Sequence, residues 1–189
     1  MFKKILGGIV ILFSHLSVKS LSRLLCVTEQ QVDGTLKNLH AILDIQNDET
    51  NMLRLHHPSF RDFLLSKDRC TDSNFWVEEK QAHQMLAHSC IRLMSNSLRQ
   101  DAPGTLVDKV ERSRIEQQLP PELKYACLYW IQHLHKSGAQ LHDNDHVHQF
   151  LETHSLHWFE ALGWMENVSK GIHAIISLEG LILVAFFMV

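Results

Sequence analysis

Between residues 53 and 66, "LRLHHPSFRDFLLS", the chain changes its hydrophobic period. Leu53 and Leu55 alternate with Arg54 and His56, the period of two that a half-buried strand requires. Pro58 then supplies a backbone angle suited to the first position of a helix, where its missing N–H costs nothing. Beyond it Phe60, Phe63 and Leu64 recur at helical spacing and are expected inward. A strand running straight into a helix excludes a purely helical bundle here. It also makes His57 the expected N-cap and leaves His56 on the strand face.

The flanking residues extend that pattern. "ILDIQ" and "MLRLHH" enclose the polar turn "NDETN", which reads as a β-hairpin. Three helices are expected before it. The first covers residues 5–13, despite Gly7 and Gly8. The second, "VKSLSRLLC", is capped by Ser17. Thr28 and Gln31 form a capping box for the third, "EQQVDGTLKNLHAIL", which aligns Val32, Leu36, Leu39 and Leu43 on one face. Helices, hairpin and helix in this order predict a winged-helix domain over residues 1–70.

From Asp72 onward the periodicity is helical throughout. Trp76, Ala82, Leu86, Leu93 and Leu98 mark one inward face. Residues 100–121 form a polar connector with a short helical stretch. "PELKYACLYWIQHLHKSG" starts with good first-turn residues and stops at Gly138. A last amphipathic helix, capped by Asp143 or Asn144, carries Phe150, Leu151, Trp158, Ala161 and Leu162 inward. The fold expected is therefore mainly α: a winged helix with a small β-hairpin, then an α-helical domain of helical hairpins over residues 71–189.

Composition removes several classes of function. A net charge of −3 gives no strong pull toward nucleic acid or anionic membrane. Cys26, Cys70, Cys90 and Cys127 are widely spaced with no C-x-x-C, as expected of buried free thiols in a reducing compartment. The apolar run at residues 5–13 has the outline of a secretory signal but no small-x-small site after it, so a buried first helix is expected. At the other end His173, Ser177 and Glu179 interrupt the apolar run, and residues 181–189 are too short to span a bilayer alone. They read as a core segment whose covering partner lies beyond the chain end. "NVS" at 167–169 fits the glycosylation pattern, which matters only on a secretory route.

Several of these stretches resemble one family. "LGGIVILFSHLSVKSLSRLL", "VDGTLKNLHAILDI", "LRLHHPSFRDFLLS", "FWVEEKQAHQMLAHSCIRLM", "LPPELKYACLYWIQHL" and "VHQFLETHSLHWFEALGWM" are similar, in this order, to the region after the nucleotide-binding module of fungal NACHT-type NLR proteins. These are STAND-class signalling NTPases that include heterokaryon-incompatibility relatives. The resemblance implies a role in self/non-self recognition or programmed cell death, a cytoplasmic location, and a NACHT module as partner, in cis or trans. It also implies that His57, matched through "HPSFRDF", touches the β-phosphate of ADP and helps hold the closed state. The chain departs from the family by carrying no G-x-x-x-x-G-K-[ST] and no apolar run ending in paired acids. It is therefore expected to be a non-catalytic, regulatory piece, with ADP or ATP bound only where a NACHT module supplies the site.

The remaining candidates are weaker. "HDNDHVH" offers His142, Asp143, Asp145, His146 and His148, but the expected cap leaves His142 outside the helix and no general-base glutamate intervenes, so it reads as a solvated helix start rather than a metal site. His133/His135 and His154/His157 read as helix-surface pairs. Cys90 and Cys127 read as core, with no base beside them for nucleophilic catalysis. A stand-alone winged-helix nucleic-acid binder is the alternative function, but its recognition helix offers Lys37 against Glu29 and Asp33. A secreted or membrane-associated protein is a third reading, resting on the apolar ends.

Overall fold

The computed structural model describes residues 1–37, 39, 43–45, 52–55, 57–98 and 119–187. The described structure is mainly α. In chain order the elements are α1 (Phe2–Ile11), α2 (Val18–Leu25), α3 (Glu29–Lys37), β1 (Leu43–Ile45), β2 (Leu53–Leu55), α4 (Pro58–Leu65), α5 (Glu79–Ser97), α6 (Pro121–Ser137), α7 (His146–Trp164) and α8 (Val168–Phe187). His56, the polar turn expected at 47–51 and residues 100–118 of the connector expected at 100–121 lie outside the described residues.

The glycines in α1 are points of contact rather than breaks. A Cβ on Gly8 would stand 3.1 Å from Leu25, and one on Gly7 would stand 3.5 Å from Ala82 and Val77. Their absence lets α1 lie close against both α2 and α5. The helix ends at Ile11, two residues short of the expected limit, so Phe13 lies beyond it and is free to fold back over α5 and α6.

Local chemistry sets the next boundaries. Ser17 Oγ accepts the Ser20 N–H at 3.1 Å and starts α2. At the other end Lys4 donates to the Leu25 carbonyl at 2.6 Å and Arg92 to the Leu24 carbonyl at 3.1 Å. Two cations thus sit on the unpaired carbonyls where the helix dipole is negative. Thr28 and Gln31 exchange side-chain and backbone bonds at 3.0 and 3.2 Å, the reciprocal capping box that opens α3.

The third helix stops at Lys37 and does not reach Leu43 as its periodicity suggests. Leu43 instead pairs with Leu55, Asp44 with Arg54 and Ile45 with Leu53 in an antiparallel ladder. Pairing across strands competes with helix continuation for the same backbone groups, and here the ladder wins. The outer edge of β2 is also used: the Leu53 N–H donates to the Leu16 carbonyl at 3.0 Å and Met52 bridges Ser17.

The long helices make the larger layer. α5 and α6 lie side by side, and α7 docks on them through aromatic contacts. Trp130 on α6 meets Phe150 and Trp158 edge-on at 5.3 and 5.5 Å, and the Trp158 indole N–H donates to the Cys127 carbonyl at 2.9 Å. Burying Trp130, Trp158 and Phe150 nearly completely makes this the heaviest part of the core. Leu64 is fully buried on α4 while Phe60 and Phe63 are half-buried against the same core, and on α5 Leu93 is half-buried where Leu86 is fully so.

The first seventy residues share this core with the rest of the chain. Buried apolar side chains from Ile5 to Leu178 form one cluster. Arg23 on α2 pairs with the buried Glu122 of α6 at 2.8 Å, and the Val77 N–H donates to the Leu64 carbonyl at 2.9 Å.

Candidate functional site

The helix α4 begins where the period changed. His57 has extended backbone angles, and its Nδ1 accepts the Ser59 N–H at 3.1 Å. The Ser59 hydroxyl lies 2.7 Å from the same nitrogen and donates to it. A backbone N–H can only donate, so the cap requires an unprotonated Nδ1. The neutral ring then carries its hydrogen on Nε2. The ring is exposed, so this N–H is offered outward from a helix N-terminus, where the dipole favours an anion. Behind it, Arg61 donates to the Val10 carbonyl at 3.1 Å and lies 3.6 Å from Glu79, tying α4 to α1 and α5.

A second group of titratable side chains is buried. His83 on α5 and His133 on α6 face each other, Nδ1 to Nδ1, at 2.7 Å. The Tyr125 hydroxyl lies 2.7 Å from His133 Nε2 and accepts the Phe13 N–H at 3.3 Å. One arrangement of hydrogens satisfies the chain of contacts. Phe13 donates to Tyr125, Tyr125 donates to His133 Nε2, and His133 Nδ1–H donates to His83 Nδ1. His83 is left with its hydrogen on Nε2, which is buried and has no hydrogen-bond partner among the described residues. The Glu79 carboxylate lies 3.8 Å from it, too far for a hydrogen bond.

Burial pushes His133 down to about 3, with the neighbouring His83 adding to the shift. Burial also lowers His83, and Lys136 and Arg61 act in the same direction, while Glu79 opposes them. Burial raises the Tyr125 hydroxyl. All three groups are therefore neutral at pH 7. Phe13 covers the pair, its ring 4.5 Å from His133 and stacked on His83 at 5.7 Å. The group joins α5, α6 and the segment after α1 through neutral hydrogen bonds.

His133 was expected on the helix surface with His135. It is fully buried, whereas His135 is exposed. The sequence did hold a signal: Tyr125, Tyr129 and His133 recur every four residues and so share one face of α6. His83 lies between Ala82 and the buried Leu86 and Ala87, where an inward histidine was equally legible.

The residues of "HDNDHVH" are spent on turning the chain into α7. The cap is Asp145, and neither Asp143 nor Asn144 serves as expected. Asp145 Oδ1 accepts from Val147 and His148, both at 2.9 Å, and Oδ2 accepts from His142 at 3.1 Å. Asn144 takes the left-handed conformation, φ 63°, that turns the chain into the helix. His142 lies outside the helix and exposed, while His146 meets His88 of α5 with ring centroids 5.1 Å apart. His154 and His157 are half-buried, each with a buried Nδ1 that has no hydrogen-bond partner among the described residues. Among the described residues no three histidine, cysteine or acidic side chains are grouped to hold a metal ion.

Cys70, Cys90 and Cys127 are buried free thiols, and burial raises each of them. Cys26 departs from that expectation, being exposed at the left-handed C-cap of α2. Among the described residues no helix is long and apolar enough to cross a membrane.

Comparison with known proteins gives these features a context. Over 150 aligned residues, 67% of this chain, the sequence is 31% identical to the vegetative incompatibility protein HET-E-1 of Podospora anserina. The match spans 11% of that relative's length. No family model matches the chain, and no solved structure matches it.

Proposed function

We propose that this chain is a non-catalytic, regulatory region of a NACHT-type STAND signalling protein, working in fungal self/non-self recognition or cell death in the cytoplasm. In this reading residues 1–70 are a winged-helix domain and residues 71–189 a helical domain packed on it. The partner is a NACHT module, in cis or trans, which brings ADP or ATP. His57 reaches the β-phosphate of ADP and favours the closed state. The similarity to an incompatibility protein along two thirds of the chain carries the reading. The geometry of His57 agrees with it: the cap occupies Nδ1 and leaves Nε2–H as an outward donor at a helix N-terminus.

The test adds this chain to a separately produced NACHT module from a full-length relative and follows a fluorescent ADP analogue. Slower ADP release with the chain present, and return to the fast rate with His57→Ala, is the expected result. An unchanged release rate on adding the intact chain sinks the reading. The nucleic-acid alternative has less behind it. Exposed Glu29 and Asp33 stand on α3 with Lys37, and a backbone-tracking surface needs several cations.

A further inference from the structure

A groove of about 530 Å³ opens between the second half of α6 and the first half of α8, lined in part by the Phe13 that covers the buried histidines. Its floor is apolar: Phe13, Leu128, Ile131 and Ala174. Its rim is basic and polar, with Lys136, Lys170, His135 and His173 among the described lining residues and no acidic residue among them. The lysines are exposed, and among the described residues neither pairs with a carboxylate. This concentration of positive charge is unusual in a half of the chain that is acidic overall. Lys4 and Arg92 cap the carbonyls of α2, whereas among the described residues Lys136 and Lys170 make no side-chain hydrogen bond or ion pair.

We infer that this groove binds a single-chain anionic amphiphile, with its aliphatic tail along the floor and its carboxylate or phosphate head at Lys136 and Lys170. Three observations select that ligand class. The volume lies in the range of small-molecule sites. The lining stretches run from Leu128 to Lys136 and from Ser169 to Ser177, a rise of roughly 12 Å at 1.5 Å per residue, a length that suits a medium-length acyl chain. The apolar strip and the cationic rim are separate, so the ligand needs an uncharged body and a single anionic end. The exposed side chains Val168, Ile172 and Ile176 follow each other at every fourth residue on a different face of α8, so they do not line the groove. They serve as the internal control for nonspecific apolar binding.

The test is calorimetric titration of the whole chain with dodecanoate below its micellar concentration. Dodecyl phosphate, dodecyltrimethylammonium and phosphatidylglycerol vesicles are titrated in parallel. Saturable one-to-one binding of both anions is expected, weaker at high salt. It should weaken by about tenfold or more in the Lys136→Glu/Lys170→Glu variant, whose exposed positions leave the core untouched. An Ile172→Ser/Ile176→Ser variant should bind as the parent does. Four results overturn the inference: no saturable binding of either anion, equal uptake of the cationic amphiphile, binding that survives the lysine reversal, or binding to vesicles alone. Circular dichroism of each variant confirms that it is folded before its titration is read.

Discussion

At the scale of single residues, capping decides most boundaries, and capping is local enough to be read from sequence. Ser17, Thr28 with Gln31, and His57 each act through neighbours two or three positions away, so their roles follow from spacing alone. The start of α7 was harder because Asp143, Asn144 and Asp145 are adjacent and all can cap. The choice fell to the residue whose position brings Val147 and Phe150 into the core, a fact outside local sequence. Asp145→Ala should cost about 1–2 kcal/mol in urea unfolding, since three backbone N–H groups lose their acceptor. Burial works against the Asp145 charge, but those N–H groups, led by that of His148, outweigh it and hold the carboxyl below its ordinary 3.8. Its stabilising effect is therefore complete above that value and fades as the pH falls through the lower folded value. His57→Ala should cost about 0.5–1 kcal/mol by loss of the cap, and His57→Asn should restore most of it, read as thermal midpoints. The same pair of variants separates capping from any contact made by Nε2.

At the scale of elements, the hidden feature is the polar seam between α5 and α6. Isolated histidines on helices are read outward by default, and the partner of His133 lies 50 residues away in sequence. Nothing in the sequence near either histidine announces the other. Both are neutral in the folded chain and ordinary in the unfolded one, near 6.5. The unfolded state therefore binds more protons below that value. The stability they contribute is intact above pH 6.5 and is lost as the pH falls toward the folded value of His133, about 3. Equilibrium unfolding measured from pH 7 to pH 4 should show a slope approaching about 1.4 kcal/mol per pH unit for each histidine that remains unprotonated when folded. Replacing both by phenylalanine should flatten that slope even if it alters the absolute stability. A slope unchanged in the double variant would mean that carboxylates such as Asp145 govern acid unfolding. The pairing of β1 with β2 teaches the complementary lesson: the pairing of two apolar runs was legible, whereas the limit of α3 was not, because helix and ladder compete for Leu43.

At the scale of the whole molecule, the helical class was plain from periodicity, while the way the two stretches join was not. Sequence reading marks a change of character near residue 70, but the core passes through it, with α1 on Ala82 and Val77 and Arg23 on Glu122. Unfolding in urea should accordingly show coincident transitions by far-ultraviolet circular dichroism and by tryptophan fluorescence, since all four tryptophans lie beyond residue 70 while the helices are spread along the chain. Two separated transitions would instead mark residues 1–70 and 71–189 as independent folding units. The close approach of α1 also sets which positions can vary. Gly8→Ala places a methyl group 3.1 Å from the fully buried Leu25 and should destabilise; Gly34→Ala meets nothing among the described residues and should stabilise α3 by about 0.5–1 kcal/mol. In a library sampling every amino acid at both sites, selection for folded protein would leave position 8 nearly monomorphic and position 34 freely drifting, although the two glycines are indistinguishable by helix propensity.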